Sequence, residues 1–301
     1  MKFAALLLAL LLSACHSFHA PPLRYDGDAP EGIRFVELGE VSLRVREAGP
    51  EKAPAVVLLH GFGSSLDTWH HVVPKLAASH RVVAFDLKGF GRSSRPDGDY
   101  SQAAQAALVL SVMDKLGIGR AAVVGHSWGG SIALTLARTA PDRVTRVAIY
   151  GGFLFEEQIP PYLRWGQVEG LGDLVFAMSF RERPDERLAR AFYDPDRLEE
   201  RYVERVIADL ERPGTIAASL AAVRGMDFES LVAALPQVSQ PALLVWGRED
   251  RVSPPVYGER LASLLPRARL VVYPRCGHFP HVEALEASTQ ALIAFLSEGS
   301  P

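Results

Sequence analysis

The chain is poor in cysteine, in charge of one sign and in metal-ligand spacings, and each shortage excludes something. Only Cys15 and Cys276 occur in 301 residues, so no disulfide framework holds the fold. Lys and Arg number 32 against 35 Asp and Glu, a net charge of −3. No long basic tract interrupts that balance, which argues against nucleic-acid binding. The nine histidines are scattered, and neither His-Glu-x-x-His nor Cys-x-x-Cys occurs. No metal site and no cofactor is therefore expected. No repeat of solenoid length is present. What is there, 48% hydrophobic and 22% charged residues, suits one large folded domain or one domain with an insert.

The N-terminus is the most biased segment. Met1-Lys2 gives a positive end, and Phe3 to Leu12 is a nearly unbroken apolar run. It is too short for a comfortable mature membrane span and reads as a secretory signal. Leu12-Ser13-Ala14-Cys15 follows directly and resembles the lipobox of bacterial lipoproteins. The resemblance implies a signal peptide over residues 1–14 and lipidation of Cys15. It also implies an exported protein, held in the cell envelope by a membrane anchor. Cys276 then has no partner and reads as a small buried apolar residue. Residues 15–32 are rich in Pro, Asp and Gly without apolar periodicity, the pattern of a tether.

Beyond the tether the apolar pattern alternates between two periods. Ile33–Leu38 and Val41–Arg46 alternate around Gly39-Glu40, as in an antiparallel hairpin. Ala55–Leu59, Arg81–Phe85, Ala121–Val124, Val144–Ile149, Ala242–Trp246 and Leu270–Tyr273 are mainly continuous apolar runs, typical of strands buried on both faces. Helical patterns lie between them at Leu66–Ala78, with a kink or stop expected at Pro74. Others are Gln102–Leu116, Ile132–Ala140, Gly258–Leu265 and Glu283–Leu296. Such alternation predicts a mainly parallel α/β sheet covered on both sides. Residues 153–228 contain no strand-like run and read as a helical insert. The core is then residues 33–152 and 229–297.

Chemistry concentrates at the ends of these strands. Val123-Val124 runs into Gly125-His126-Ser127-Trp128-Gly129, and a helix-forming run follows. Strand, sharp turn and helix in that order present a serine as a nucleophile. Serine needs a base, the base an orienting acid, and the oxyanion that forms needs donors. His278, after Leu270–Tyr273 and beside Gly277, is the base expected; His281 is its nearest rival. His126 is too close to Ser127 to serve, and His70, His71 and His80 lie far from any strand end. Asp250, after Ala242–Trp246, is the acid expected, with Glu249, Asp86 and Asp227 as competitors. The oxyanion donors expected are the backbone N–H groups of Phe62, in His60-Gly61-Phe62-Gly63, and of Trp128.

These pieces resemble the α/β-hydrolase superfamily. The resemblance runs from about Ile33 to Leu296. It is carried by His60-Gly61-Phe62-Gly63, by the segment Asp86 to Ser93, by the Ser127 pentapeptide, by Asp250 and by Gly277-His278. It implies a sheet of about eight strands, a helical cap over 153–228, and hydrolysis through a Ser127–His278–Asp250 triad. Asp86 to Ser93 matches a structural signature of the family and is given no catalytic role. Superfamily members that open epoxides or remove halide carry aspartate where Ser127 stands, so acyl chemistry is expected. A small-molecule carboxylic ester is the expected substrate. Carbon–carbon bond hydrolysis and peptide hydrolysis are the alternatives within the superfamily, and a non-catalytic binding protein on this fold is a third.

Overall fold

The computed structural model describes residues 20–25, 29–180 and 183–298. The expected signal peptide and Cys15 lie outside the described residues. Eight strands form one sheet: β1 (Ile33–Leu38), β2 (Val41–Ala48), β3 (Ala55–Leu59), β4 (Arg81–Phe85), β5 (Ala121–His126), β6 (Val144–Tyr150), β7 (Ala242–Gly247) and β8 (Ala268–Tyr273). Their spatial order is β1-β2-β4-β3-β5-β6-β7-β8. β1 and β2 run antiparallel to their neighbours, and β3 to β8 are mutually parallel.

The continuous apolar strands serve two cores at once. Side chains alternate across a strand, so Val57, Leu59 and Val123 enter one cluster while Val56, Leu58 and Val124 enter the other. Helices cover both. In chain order they are α1 (Val72–Ala77), α2 (Gln102–Lys115) and α3 (Trp128–Thr139). Then come α4 (Pro161–Gly166), α5 (Leu171–Phe180), α6 (Pro184–Ala191), α7 (Glu200–Glu211) and α8 (Thr215–Arg224). The last four are α9 (Phe228–Ala234), α10 (Pro255–Leu264), α11 (Pro280–Glu283) and α12 (Leu285–Ser297). Helices α4 to α8 make up the insert after β6, which holds no strand among the described residues. α7 shows how its sequence folds there: Tyr202, Val206 and Leu210, four apart, form its buried stripe.

Three local expectations are corrected. The segment 66–78 is not one helix kinked at Pro74. It is a 3₁₀ turn at Leu66–Trp69 followed by α1. Pro74 sits in the first turn of α1, where a missing N–H costs nothing. α3 begins at Trp128 rather than Ile132, because Gly129 and Gly130 mask a helix that packing imposes. Lastly, the tether docks at its described end. Arg95 N–H donates to Ala20 O (2.9 Å), Leu23 N–H to Arg92 O (2.9 Å) and Arg212 Nη2 to Pro21 O (2.9 Å). Contacts made through the backbone leave no apolar periodicity to read.

The strand order reverses direction at β3, which lies between β4 and β5. In a parallel sheet that reversal opens a crevice beyond the carboxyl ends of the two strands concerned. Leu59 pairs with Gly125 across β3 and β5, so the loops carrying Phe62 and Ser127 leave the sheet side by side.

Candidate active site

Ser127 occupies the turn between β5 and α3 with φ 52° and ψ −122°. A positive φ is uncommon outside glycine and marks strain that its surroundings must hold. Here the Ser127 N–H donates to Tyr150 O (2.9 Å). The Ser127 carbonyl accepts from Gly130 (2.9 Å) and Phe153 (3.1 Å). The flanking glycines are required by crowding. A Cβ at Gly125 would run into the Gly129 carbonyl, and one at Gly129 would lie 2.5 Å from His60 O.

Asp250 follows β7 and is buried. Its Oδ1 accepts from the N–H groups of Val252 (2.9 Å) and Ser253 (2.8 Å), which fixes the carboxylate. Its Oδ2 lies 2.8 Å from His278 Nδ1. That bond puts the ring proton on Nδ1 and leaves Nε2 as the basic nitrogen. Ser127 and His278 line one cavity of about 460 Å³. No hydrogen bond joins Ser127 Oγ to His278 among the described residues. Phe62, Phe153, Leu163 and Val206 give the cavity apolar wall, while Arg187, Arg190 and Arg251 give it positive charge. The backbone N–H groups of Phe62 and Trp128 have no protein acceptor among the described residues. The Phe62 ring packs edge-on against Trp128 at 6.0 Å.

The rivals are committed elsewhere. Asp86 is buried and engaged by Arg44, by Leu66 N–H (2.7 Å) and by Arg92 N–H (2.7 Å). Glu249 accepts from Cys276 N–H (3.0 Å), and Asp227 caps α9 through Ser230 N–H (3.0 Å). His281 pairs with Thr68 Oγ1 (2.8 Å), and burial pushes its pKa down to about 3. Cys276 is buried and burial raises its thiol pKa, which makes it an inert core residue. A wider cleft of about 630 Å³ lies beside the N-terminal segment, lined by Arg44, Arg92 and Arg205 among others, with neither Ser127 nor His278 in its wall.

Two supporting residues escaped the sequence reading. His126 is buried, and its Nε2 donates to the backbone carbonyl of His278 (2.9 Å). Burial first, then His281 and His278, hold its pKa far below the usual histidine value. Glu283 is buried with its pKa raised by desolvation. One oxygen accepts from Gly277 N–H (2.9 Å) beside His278, the other from Tyr193 N–H (2.7 Å) in the insert. The His278 N–H itself donates to Ala191 O (2.7 Å) at the end of α6. The insert is thus bonded to the histidine loop. The available signal was a charged residue five positions after a strand-end histidine, too common to single out.

A family model described as the alpha/beta hydrolase fold matches residues 54–285. The chain belongs to the α/β-hydrolase fold family. This hydrolase is 32% identical over 254 residues to a 2-hydroxymuconate semialdehyde hydrolase of Pseudomonas sp. (strain CF600). The match covers 81% of the chain and 87% of the relative. Among solved structures it resembles the enol-lactonase from Burkholderia xenovorans LB400, with TM-score 0.73 and 26% identity. That match covers 88% of this α/β hydrolase and all of the lactonase chain. It also resembles a structure described as a membrane phospholipase A, a novel bacterial virulence factor. There the TM-score is 0.69 and the identity 27%, over 97% of this chain and 91% of the other.

Proposed function

We propose that this hydrolase cleaves carboxylic esters through an acyl-enzyme on Ser127. The observation that carries the reading is the shared cavity: a strained serine opposite a histidine whose Nδ1 is held 2.8 Å from a buried carboxylate. His278 Nε2 takes the Ser127 proton as Oγ attacks the carbonyl carbon. Asp250 holds the tautomer and stabilises the imidazolium. The N–H groups of Phe62 and Trp128 receive the oxyanion, each worth about 3 kcal/mol in the transition state. His278 then protonates the leaving alcohol, and water, activated by the same nitrogen, releases the acid.

The apolar wall suits an acyl chain, and the arginines suit a substrate with negative charge. A lipid anchor on Cys15 would present the enzyme at a membrane. Ala20 is docked on the core, so the five residues from Cys15 to that point reach at most about 18 Å. The likeness to a membrane phospholipase A, over 97% of the chain, supports a substrate met at a membrane. A second reading, carbon–carbon bond hydrolysis, draws support from the relative that acts on a 2-hydroxymuconate semialdehyde.

One assay separates the two. Purified protein is expected to be labelled by a fluorophosphonate and to turn over p-nitrophenyl esters, with both lost in Ser127→Ala. Unchanged ester turnover in Ser127→Ala would overturn the Ser127 mechanism. Labelling with turnover of a 2-hydroxy-6-oxodienoate but of no ester would favour the second reading. For the anchor, Cys15→Ser is expected to leave the membrane fraction; unaltered membrane association would refute lipidation.

A further inference from the structure

The seam between the insert and the core carries three side chains that the hydrolase chemistry does not use. His70 closes the 3₁₀ turn Leu66–Trp69, His71 is the N-cap of α1, and Glu199 is the N-cap of α7. The two imidazoles lie against each other, tilted by 41° with centroids 3.7 Å apart. His71 Nε2 lies 2.7 Å and His70 Nε2 3.4 Å from the same Glu199 Oε1. One ligand atom from each residue falls within 4.8 Å of the other two.

We propose that His70, His71 and Glu199 bind a divalent transition-metal cation, Zn²⁺ by donor set, which pins the insert to the core. The donors fit in kind: two imidazoles and a carboxylate are a ligand set used for zinc with a fourth position left to water. They come close in spacing: ligands about 2.1 Å from a tetrahedral ion stand roughly 3.4 Å apart, the His70–Glu199 separation is 3.4 Å, and the His71–Glu199 pair at 2.7 Å opens slightly to admit the ion. They also fit in orientation. His70 Nδ1 donates to Asp67 O (2.8 Å), so its lone pair is on Nε2, as second-shell bonds set it in metal sites. That nitrogen faces Glu199 Oε1, so both would present donor atoms to the same ion. The three side chains are 30%, 41% and 47% exposed, so an ion reaches them and water completes the shell.

The position gives the ion a consequence. Tyr202 lies within the first turn of α7, after Glu199, lines the Ser127 cavity and bonds Ser64 Oγ (3.0 Å) in the loop carrying Phe62. A metal at Glu199 restrains the end of the helix that roofs that loop. No spacing motif marks the site, because Glu199 is 128 residues from His71.

The test uses the tag-free full chain, stripped with a chelator, and zinc chloride in a non-coordinating buffer. Calorimetric titration is expected to show one saturable site near micromolar dissociation constant. His71→Ala and Glu199→Gln are each expected to weaken it at least tenfold. Zinc should raise Tm in the wild type and not in the variants. Far-UV circular dichroism and zinc-free ester or fluorophosphonate reactivity report whether each variant is folded; His71→Gln replaces His71→Ala if it is not. Absence of saturable binding in the wild type overturns the proposal. So does wild-type affinity in both variants, which would place the ion on other histidines.

Discussion

On the core side of the cavity, Phe62, Ser127, Asp250 and His278 each stand no more than five residues past a strand end. On the insert side, Leu163, Val206 and Arg187 come from three different helices. The core groups are held by the backbone: Asp250 by two N–H donors, Ser127 by three bonds to its own peptide units. Among the insert groups, Leu163 and Val206 are held by apolar side-chain packing, and Arg187 by its guanidinium bonds to the Ser179 and Phe180 carbonyls. Precision therefore resides at the strand ends. A strand end in a buried sheet has little freedom, so it suits bond-making groups. A helix face tolerates exchange of its apolar residues, so it suits selection among substrates.

The comparison predicts large effects from the core and small ones from the insert. Asp250→Asn is expected to lower kcat by about 10⁴, because the wrong tautomer of His278 is then favoured. Glu249→Gln should stay within about threefold on the same ester. Equal losses in the two variants would remove Asp250 from its role.

Glu283→Ala strikes the joint between the two walls. It leaves the N–H groups of Gly277 and Tyr193 unpaired, at about 1–3 kcal/mol each. Thermal unfolding should show that loss, and kcat should fall about tenfold with KM little changed. A loss of stability with kcat intact would show that the insert does not align His278.

Protons should unsettle the core wall first. His126 and His281 are held neutral by burial, His281 with a pKa of about 3. The unfolded chain binds protons on both as pH falls through about 6.5. The stability present above that pH is therefore lost progressively toward pH 3. Tm measured from pH 8 to 4 should decline below about 6.5, and His281→Gln should flatten the slope. A Tm independent of pH in that window would contradict it.

On the insert wall, Val206→Ala should have a smaller effect than these core changes. It enlarges the insert wall and is expected to shift the kcat/KM ratio between long and short acyl esters by about fivefold to tenfold, the low end of the roughly 1–3 kcal/mol that a methylene-sized change in an apolar pocket is worth. A larger change in kcat than in KM would place Val206 on the chemical side of the cavity.

Much of the core was legible because its signals are local. A continuous apolar run predicts a buried strand, and glycine on both sides of Ser127 predicts a crowded turn; both appear at those places. Helix starts were less legible. Gly129 and Gly130 disguised the first turn of α3, and Pro74 pointed to a break that falls instead at His70-His71. The docking of residues 20–25 was invisible, since peptide groups and the polar and cation–π contacts of Arg24 and Tyr25 make it, with no apolar period to read.

The class of fold, the family and the strand-end positions of Ser127, Asp250 and His278 were legible in the amino-acid order alone. Periodicity and short motifs act over a few residues, and those features are written at that range. Which other groups meet across long separations was settled by tertiary packing. Glu283 with Tyr193, and His71 with Glu199, are joined by how the insert folds back on the core. Such pairings depend on the packing of whole elements, which no local spacing encodes.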